Sequence, residues 1–134
     1  MSMTTLSALF ISMSAYYGLP PGLLSSVCYV ESKHNISALH KHDGNGDSIG
    51  VCQIKLKTAR HMGFHGTEAQ LMIPRNNVKY AAKYLSYQMK RYHNINKAII
   101  AYNYGNAKSL TSTKYQRKVI KKWGQYICSN LTTE

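Results

Sequence analysis

Apolar residues recur every three to four positions through most of the chain, which is the pattern of helices packed on one side. Sustained alternation of apolar and polar residues is missing, so no pair of strands is predicted. The pattern predicts a mainly α fold: a single compact domain over residues 1–134, with a long polar loop at 34–50. The predicted helices cover about 4–17, 23–33, 56–62, 74–92, 94–103 and 112–128.

The second predicted helix carries an acid on its apolar face. Leu24, Val27, Cys28 and Glu31 follow the i, i+3, i+4, i+7 spacing that places side chains on one side of a helix. Burial disfavours an ionised carboxylate and raises its pKa. A carboxyl group that stays protonated near neutral pH is suited to general acid catalysis. The alternative is a structural glutamate at the helix end, capped or paired with Lys33.

The charge balance of the chain is strongly basic. Seventeen Lys and Arg residues against five Asp and Glu give a net charge of +12, which indicates a polyanionic partner such as nucleic acid, an anionic membrane or bacterial cell wall. Any mechanism that needs a carboxylate side chain must use one of five residues. They are Glu31, Asp43, Asp47, Glu68 and Glu134.

The last predicted helix, over about 112–128, is two-faced. One face is basic, with Lys114, Arg117, Lys118, Lys121 and Lys122. Mostly apolar residues lie broadly opposite: Tyr115, Val119, Trp123, Tyr126 and Ile127. For folding, we interpret the basic face as a solvated surface that lies over the core. As a hypothesis about partners, the same face would bind the cell wall or an anionic lipid surface.

Cysteines, metals and targeting add little chemistry. Cys28, Cys52 and Cys128 lack the spacing of metal ligands, and three cysteines cannot all pair in disulfides. Buried free thiols are therefore predicted, and a Cys28–Cys52 disulfide remains an alternative.

The run from Asp43 to Asp47 resembles a calcium loop without its closing acid, so a solvated turn is predicted, with no metal and no cofactor. Residues 5–15 are apolar, but no Lys or Arg precedes Lys33, so no signal peptide is predicted.

Three motifs in order resemble the soluble lytic transglycosylase family of the lysozyme-like superfamily. They are Val30-Glu31-Ser32-Lys33-His34-Asn35, Gly50-Val51-Cys52-Gln53-Ile54 and Ala101-Tyr102-Asn103-Tyr104-Gly105. Weaker matches are Thr58-Ala59 with Gly63, Pro74 with Asn77-Val78, Tyr84-Leu85, and Tyr115 with Val119, so the resemblance spans about 19–119. Cys52, Tyr104 and Ile73 depart from the usual pattern, in which an apolar residue, a small residue and an acid stand at these positions.

The resemblance implies a lysozyme-like fold and peptidoglycan glycan strands as the substrate. The bond would be the β-1,4 link between N-acetylmuramic acid and N-acetylglucosamine, with Glu31 acting first as acid and then as base to form 1,6-anhydro ends. The substrate-binding residues would be Ser32, Ser48, Gln53, Tyr102 and Asn103. As an alternative to substrate binding, Ser32 and Asn103 would only terminate their helices, and Tyr102 would only pack in the core. A goose-lysozyme-like hydrolase that pairs Glu31 with Asp43 or Asp47 is the alternative function.

Two other classes of protein are weaker hypotheses. A cysteine peptidase would pair Cys28 or Cys52 with a histidine, usually on a fold with strands. A cationic binder of nucleic acid or membrane would leave Glu31 unexplained, and no nucleic acid partner is expected.

The protein is predicted to be a monomer that is made in the cytoplasm. It would act on the cell wall in the periplasm or be carried in a virion. Its predicted role is cell lysis or wall penetration.

Overall fold

The computed structural model describes residues 1–42, 44 and 46–131, and these residues are mainly helical. Seven α-helices occur within them: α1 Met3–Tyr16, α2 Leu23–Ser32, α3 Leu56–His61, α4 Glu68–Met72, α5 Pro74–Tyr92, α6 Ile95–Tyr104 and α7 Lys114–Leu131. Three short strands are β1 Leu39–His40, β2 Ser48–Ile49 and β3 Ile54–Lys55. The predicted mainly α fold is confirmed.

The helix boundaries follow from ordinary capping chemistry. Pro74 opens α5, and the Asn94 side chain accepts a 3.0 Å hydrogen bond from the backbone amide of Lys97 at the start of α6. Gly105 ends α6 with φ of 91°, a left-handed conformation that suits glycine. Helix α4 was not predicted because it has only five residues, although Thr67 and Gln70 form a capping box at its start.

The main core lies where α5 packs against α1, α2 and α6. Val78, Ala81 and Leu85 of α5 are fully buried in it, as their spacing predicts. A second apolar cluster lies beneath the small sheet and joins Ile49 and Ile54 to α3 and α4. Tyr102 of the main core and Ile54 of the second cluster line the same cleft.

Helices α2 and α7 pack side by side in opposite directions. The Trp123 indole donates a 2.9 Å hydrogen bond to the carbonyl of Pro21 at one end, and Tyr115 contacts Glu31 at the other. Gly22 makes the close approach possible, because a Cβ atom there would lie 2.1 Å from the Tyr126 ring. This packing sets which residues of α7 meet the carboxyl group on α2.

The three strands form one antiparallel sheet in the order β1-β2-β3. Ile49 of β2 pairs with Leu39 on one side and with Ile54 on the other. Each strand is two residues long, too short for any alternation to be visible in the sequence. The sheet was therefore not predicted. Strands β1 and β2 lie within the segment that was interpreted as a polar loop, and β3 follows that segment.

A buried asparagine holds the turn after β2. The Asn77 carboxamide accepts a 2.8 Å hydrogen bond from the amide of Cys52 and donates to the carbonyls of Ile49 and Leu71 at 2.7 and 3.0 Å. Gly50 fits beside it because a Cβ there would lie 2.4 Å from the Asn77 amide nitrogen. Three backbone groups would lose their partner without this side chain, and each buried group left unpaired costs about 1–3 kcal/mol.

The prediction of buried free thiols is wrong for all three cysteines: two form a disulfide and the third is exposed. Cys28 and Cys52 form a disulfide with an S–S distance of 2.01 Å, and both residues are fully buried. The pair meets because α2 directs Cys28 inward and Asn77 holds the Cys52 turn against it, with the two Cα atoms 4.3 Å apart. Cys128 is an exposed free cysteine. The bond leaves neither Cys28 nor Cys52 as a thiol nucleophile for the peptidase hypothesis.

Neither a membrane-spanning helix nor a metal-binding cluster occurs among the described residues. Across 1–42, 44 and 46–131, no helix has the length and apolar character needed to cross a membrane. Over the same residues, no group of three or more His, Cys, Asp or Glu side chains is arranged to hold a metal ion.

Candidate active site

A cleft of about 150 Å³ lies between the end of α2, the sheet and the end of α6. Its lining residues are Glu31, Ser48, Gln53, Ile54, Lys55, Thr58, Tyr84, Tyr102, Asn103, Tyr104 and Gly105. The fold therefore brings together Ser48 and four predicted site residues from the three motifs: Glu31, Gln53, Tyr102 and Asn103. Among the described lining residues, Glu31 alone carries a carboxylate.

Glu31 lies in the last turn of α2, and its Oε2 atom accepts a 2.7 Å hydrogen bond from the Tyr115 hydroxyl. Burial raises the pKa of Glu31 from 4.5 to about 7 and outweighs two opposing effects. The Tyr115 hydrogen bond and the electrostatic effect of the nearby His40 side chain both lower the pKa of Glu31. In a large fraction of the molecules, Glu31 is therefore protonated at neutral pH, as general acid catalysis requires.

Tyr115 was assigned to the inner face of the last helix, and its contact with the carboxyl group was not predicted. Burial and the nearby Glu31 carboxylate raise the pKa of Tyr115 well above 10, so its phenol remains a hydrogen-bond donor. Its sequence signal was the match of Tyr115 with Val119, but only the antiparallel packing of α2 and α7 reveals the contact. His40 was not assigned to the site either, since it lies in the polar loop.

The change Tyr115→Phe should shift the alkaline limit of activity to higher pH and lower the rate about tenfold. The shift follows because the lost hydrogen bond normally lowers the pKa of Glu31. The lower rate follows because the carboxyl group loses the contact that orients it. A pH profile of kcat/KM on the glycan substrate that the sequence resemblance implies would measure both effects.

Tyr87→Phe is the matched control, because Tyr87 is an exposed residue of α5 that does not line the cleft. It should keep the wild-type profile. An unchanged alkaline limit in Tyr115→Phe would contradict the role of the phenol in setting the pKa of Glu31.

Gln53 and Tyr102 brace the cleft through bonds within the protein. The Gln53 amide nitrogen donates to the carbonyls of Gly50 and Ala38 at 2.9 and 3.2 Å, and His40 Nδ1 donates to the Gln53 carbonyl oxygen. Gln53 also has a left-handed backbone, with φ of 53°. The Tyr102 hydroxyl donates a 2.8 Å hydrogen bond to the carbonyl of Cys52. Both side chains therefore hold the turn that forms one wall of the cleft.

The other predicted residues differ in their surroundings. Ser48 lines the cleft and its hydroxyl pairs with His42 Nε2 at 2.9 Å, while Asn103 is exposed on the last turn of α6. Ser32 does not line the cleft. Its hydroxyl donates to the carbonyl of Val51 at 2.6 Å and accepts from the amide of Asn35, so it joins the end of α2 to the turn.

Neither aspartate that was predicted as a possible second carboxylate is among the described residues that line the cleft. Asp47 is partly buried and is not among the residues that line the cleft. Asp43, the other candidate base, lies outside the described residues. Among the described residues of the cleft, Glu31 is therefore the one carboxylate available for acid–base chemistry.

A mainly helical domain with a carboxyl group of raised pKa in a polar cleft fits the lysozyme-like class that the three motifs indicate. The chain belongs to the transglycosylase SLT domain family, whose model matches residues 8–123. It is also similar to Protein IpgF of Shigella flexneri, with 30% identity over 112 residues, which are 80% of this chain and 73% of that protein. The predicted family is confirmed, and membership supports peptidoglycan lytic transglycosylase activity in general.

Proposed function

We propose that the protein cleaves the β-1,4 bond between N-acetylmuramic acid and N-acetylglucosamine and leaves 1,6-anhydro ends. The observation that carries this proposal is the single carboxylate of the described cleft, Glu31, with a pKa raised to about 7. A group that titrates near neutral pH can serve as an acid and then as a base. An intramolecular closure needs one such group, whereas hydrolytic glycosidases commonly use two.

In the first step, Glu31 donates its proton to the glycosidic oxygen as the bond from that oxygen to C1 of the muramyl residue breaks. The Tyr115 hydroxyl, at 2.7 Å from Oε2, directs the carboxyl group and stabilises the carboxylate that forms. The N-acetylglucosamine fragment leaves, and the transferred proton becomes part of its new hydroxyl group.

In the second step, the Glu31 carboxylate removes the proton from the muramyl C6 hydroxyl, and O6 forms a bond to C1. This closure regenerates the protonated carboxyl group, so the enzyme returns to its starting state without consuming water. The wall that Gln53 and Tyr102 brace keeps the cleft in shape for both steps.

The test is mass spectrometry of fragments released from purified peptidoglycan. Anhydro ends, lighter than reducing ends by one water and resistant to borohydride, are the expected result. Reducing muramic acid ends would instead mean hydrolysis and would direct the search for a base to Asp43 and Asp47. Glycan that stays intact would overturn both functions.

We also propose that the basic face of α7 attaches the enzyme to the anionic wall or outer-membrane surface. The face comprises Lys114, Arg117, Lys118, Lys121 and Lys122. Of these, Lys114, Arg117, Lys118 and Lys121 are exposed, which supports contact with a large anionic surface.

Changing Lys114, Lys118 and Lys122 to Glu should reduce binding to purified sacculi by more than tenfold at low salt, because it reverses three charges. Co-sedimentation at low and at physiological salt measures this effect. Binding equal to that of the wild type would contradict the attachment role.

We propose the periplasmic wall as the place of action, for cell lysis or wall penetration. The Cys28–Cys52 disulfide supports this proposal because such bonds persist in oxidising compartments and are rare in the cytosol. Fractionation of producing cells, with the bond tested by thiol labelling in each fraction, checks it: oxidised protein should occur in the periplasm.

A further inference from the structure

A row of three polar side chains crosses one face of the small sheet. His40 of β1 pairs with Ser48 of β2, and Ser48 pairs with Lys55 of β3. Residues that lie directly opposite each other in antiparallel strands place their side chains on the same face of the sheet. Ser48 and Lys55 line the cleft, so this face belongs to the site, and His40 is the outer, exposed end of the row.

A buried glutamine fixes the orientation of the His40 ring. The Gln53 amide nitrogen donates to the carbonyls of Gly50 and Ala38 at 2.9 and 3.2 Å, which uses both of its hydrogens. The amide oxygen of Gln53 therefore faces His40 Nδ1, and this oxygen can only accept a hydrogen bond. His40 Nδ1 consequently carries a hydrogen whether the ring is neutral or charged.

The fixed hydrogen on Nδ1 determines what the other ring nitrogen can do. A neutral imidazole has one N–H group, so Nε2 of neutral His40 is an acceptor. Among the described residues, none forms a hydrogen bond with this Nε2 atom. Catalytic triads use the same arrangement, in which an acceptor orients one side of a histidine ring and the opposite nitrogen serves the reaction.

His40 also lies within electrostatic range of the catalytic carboxyl group. Its side chain lowers the pKa of Glu31, and such an effect weakens with distance. The hydrogen-bond partner of His40, Gln53, and its strand partner, Ser48, both line the cleft. His40 is therefore at the edge of the cleft, on the side that the sheet forms.

We propose that His40 contacts the substrate, and that its Nε2 atom accepts a hydrogen bond from a hydroxyl or N–H group of the glycan strand in the cleft. This inference rests on the proposed function. Hydroxyl and acetamido N–H groups are the donors that an N-acetylated glycan offers along its length. The contact holds the strand at the sheet side of the cleft, while the proton transfers belong to Glu31.

The test uses His40→Asn, because the amide nitrogen of asparagine can replace Nδ1 as the donor to Gln53, whereas Nε2 is lost. His65→Asn is the matched control, since His65 is exposed and does not line the cleft. We expect His40→Asn to bind soluble glycan strands roughly fivefold more weakly, with a higher KM and little change in kcat. Calorimetry in a Glu31→Gln background measures the binding without cleavage.

Nitrogen-15 NMR of the histidine side chains adds a measurement on the unsubstituted ring, which remains valid if His40→Asn folds poorly. The neutral His40 ring should carry its hydrogen on Nδ1, and added glycan strands should shift the Nε2 resonance of His40 but not that of His65. Three results would overturn the proposal: a hydrogen on Nε2 of the neutral ring, no change at Nε2 on adding glycan, and equal losses of affinity in His40→Asn and His65→Asn.

The role of His40 and the proposed function can fail separately. Glycan binding that shifts the Nε2 resonance, without any anhydro product from the wild type, would support the contact and contradict the proposed function. Anhydro products from the wild type, together with wild-type affinity in His40→Asn, would contradict the contact alone. A lower affinity that comes with a lower urea midpoint, and with no change at Nε2, would show that His40 only holds the turn.

Discussion

Replacing Glu31 with glutamine is expected to lower the rate of glycan cleavage by about 10³-fold or more, because one group supplies the proton and later removes one. Glutamine has nearly the same shape and can still accept the hydrogen bond from Tyr115 through its carbonyl oxygen. The loss should therefore appear in kcat with little change in KM. Release of soluble fragments from purified peptidoglycan measures it.

The same variant should become more stable than the wild type at alkaline pH. The folded pKa of Glu31, about 7, is above its ordinary value of 4.5, so the folded state favours the protonated form. The wild type then loses stability as pH rises from about 4.5 to about 7, by about 3 kcal/mol in total, whereas the neutral amide does not. Urea unfolding of both proteins at pH 4.5 and pH 9 tests this difference.

Glu68→Gln is the control for both measurements. Glu68 is exposed in the first turn of α4 and does not line the cleft, so its loss should leave cleavage at the wild-type rate. Cleavage by Glu31→Gln within tenfold of the wild type would assign the proton transfers to another group. A stability difference between wild type and Glu31→Gln that does not change with pH would contradict the raised pKa.

Most of the fold was predictable because apolar spacing and capping residues act locally. Pro74 and the stripe of Val78, Ala81 and Leu85 were enough to set the bounds of α5 at Pro74–Tyr92. The two-residue strands were not predictable, since backbone pairing between β1, β2 and β3 involves too few residues to leave a pattern.

The site was predictable in part for the same reason. Glu31 was found because its three neighbours on the helix face are apolar, and that pattern is local. Its partner Tyr115 lies 84 residues away along the chain, so the contact depends on how α2 and α7 pack. Gln53 and Ser32 were predicted to bind substrate, but their hydrogen bonds to backbone groups arise from the turn and could not be read from residue type.

Loss of the Cys28–Cys52 disulfide is expected to have the largest effect on stability. The bond links residues 24 positions apart, and closing a loop of this length in the unfolded chain is worth about 3.5 kcal/mol by the chain-entropy model. Because domains of this kind are stable by about 5–15 kcal/mol, the double variant Cys28→Ala/Cys52→Ala should unfold at a much lower urea concentration.

Activity should fall together with stability, because the disulfide ties the helix of Glu31 to the opposite wall of the cleft. Cys28 lies one turn before Glu31, and the backbone of Cys52 accepts the Tyr102 hydroxyl hydrogen bond and donates to Asn77. Without the bond, α2 and this turn can separate, so we expect KM to rise and kcat to fall. Cys128→Ala removes the exposed thiol and should leave both parameters unchanged.

The redox state of the folding medium should reproduce the effect of the double variant in wild-type protein. Both bonded cysteines are fully buried, so a reductant reaches them mainly through unfolded molecules. Wild-type protein refolded with a phosphine reductant should therefore have low activity that recovers after oxidation by glutathione disulfide, whereas the Cys28→Ala/Cys52→Ala protein should not respond. Equal urea midpoints and equal cleavage rates with and without the bond would show that packing alone holds the cleft together.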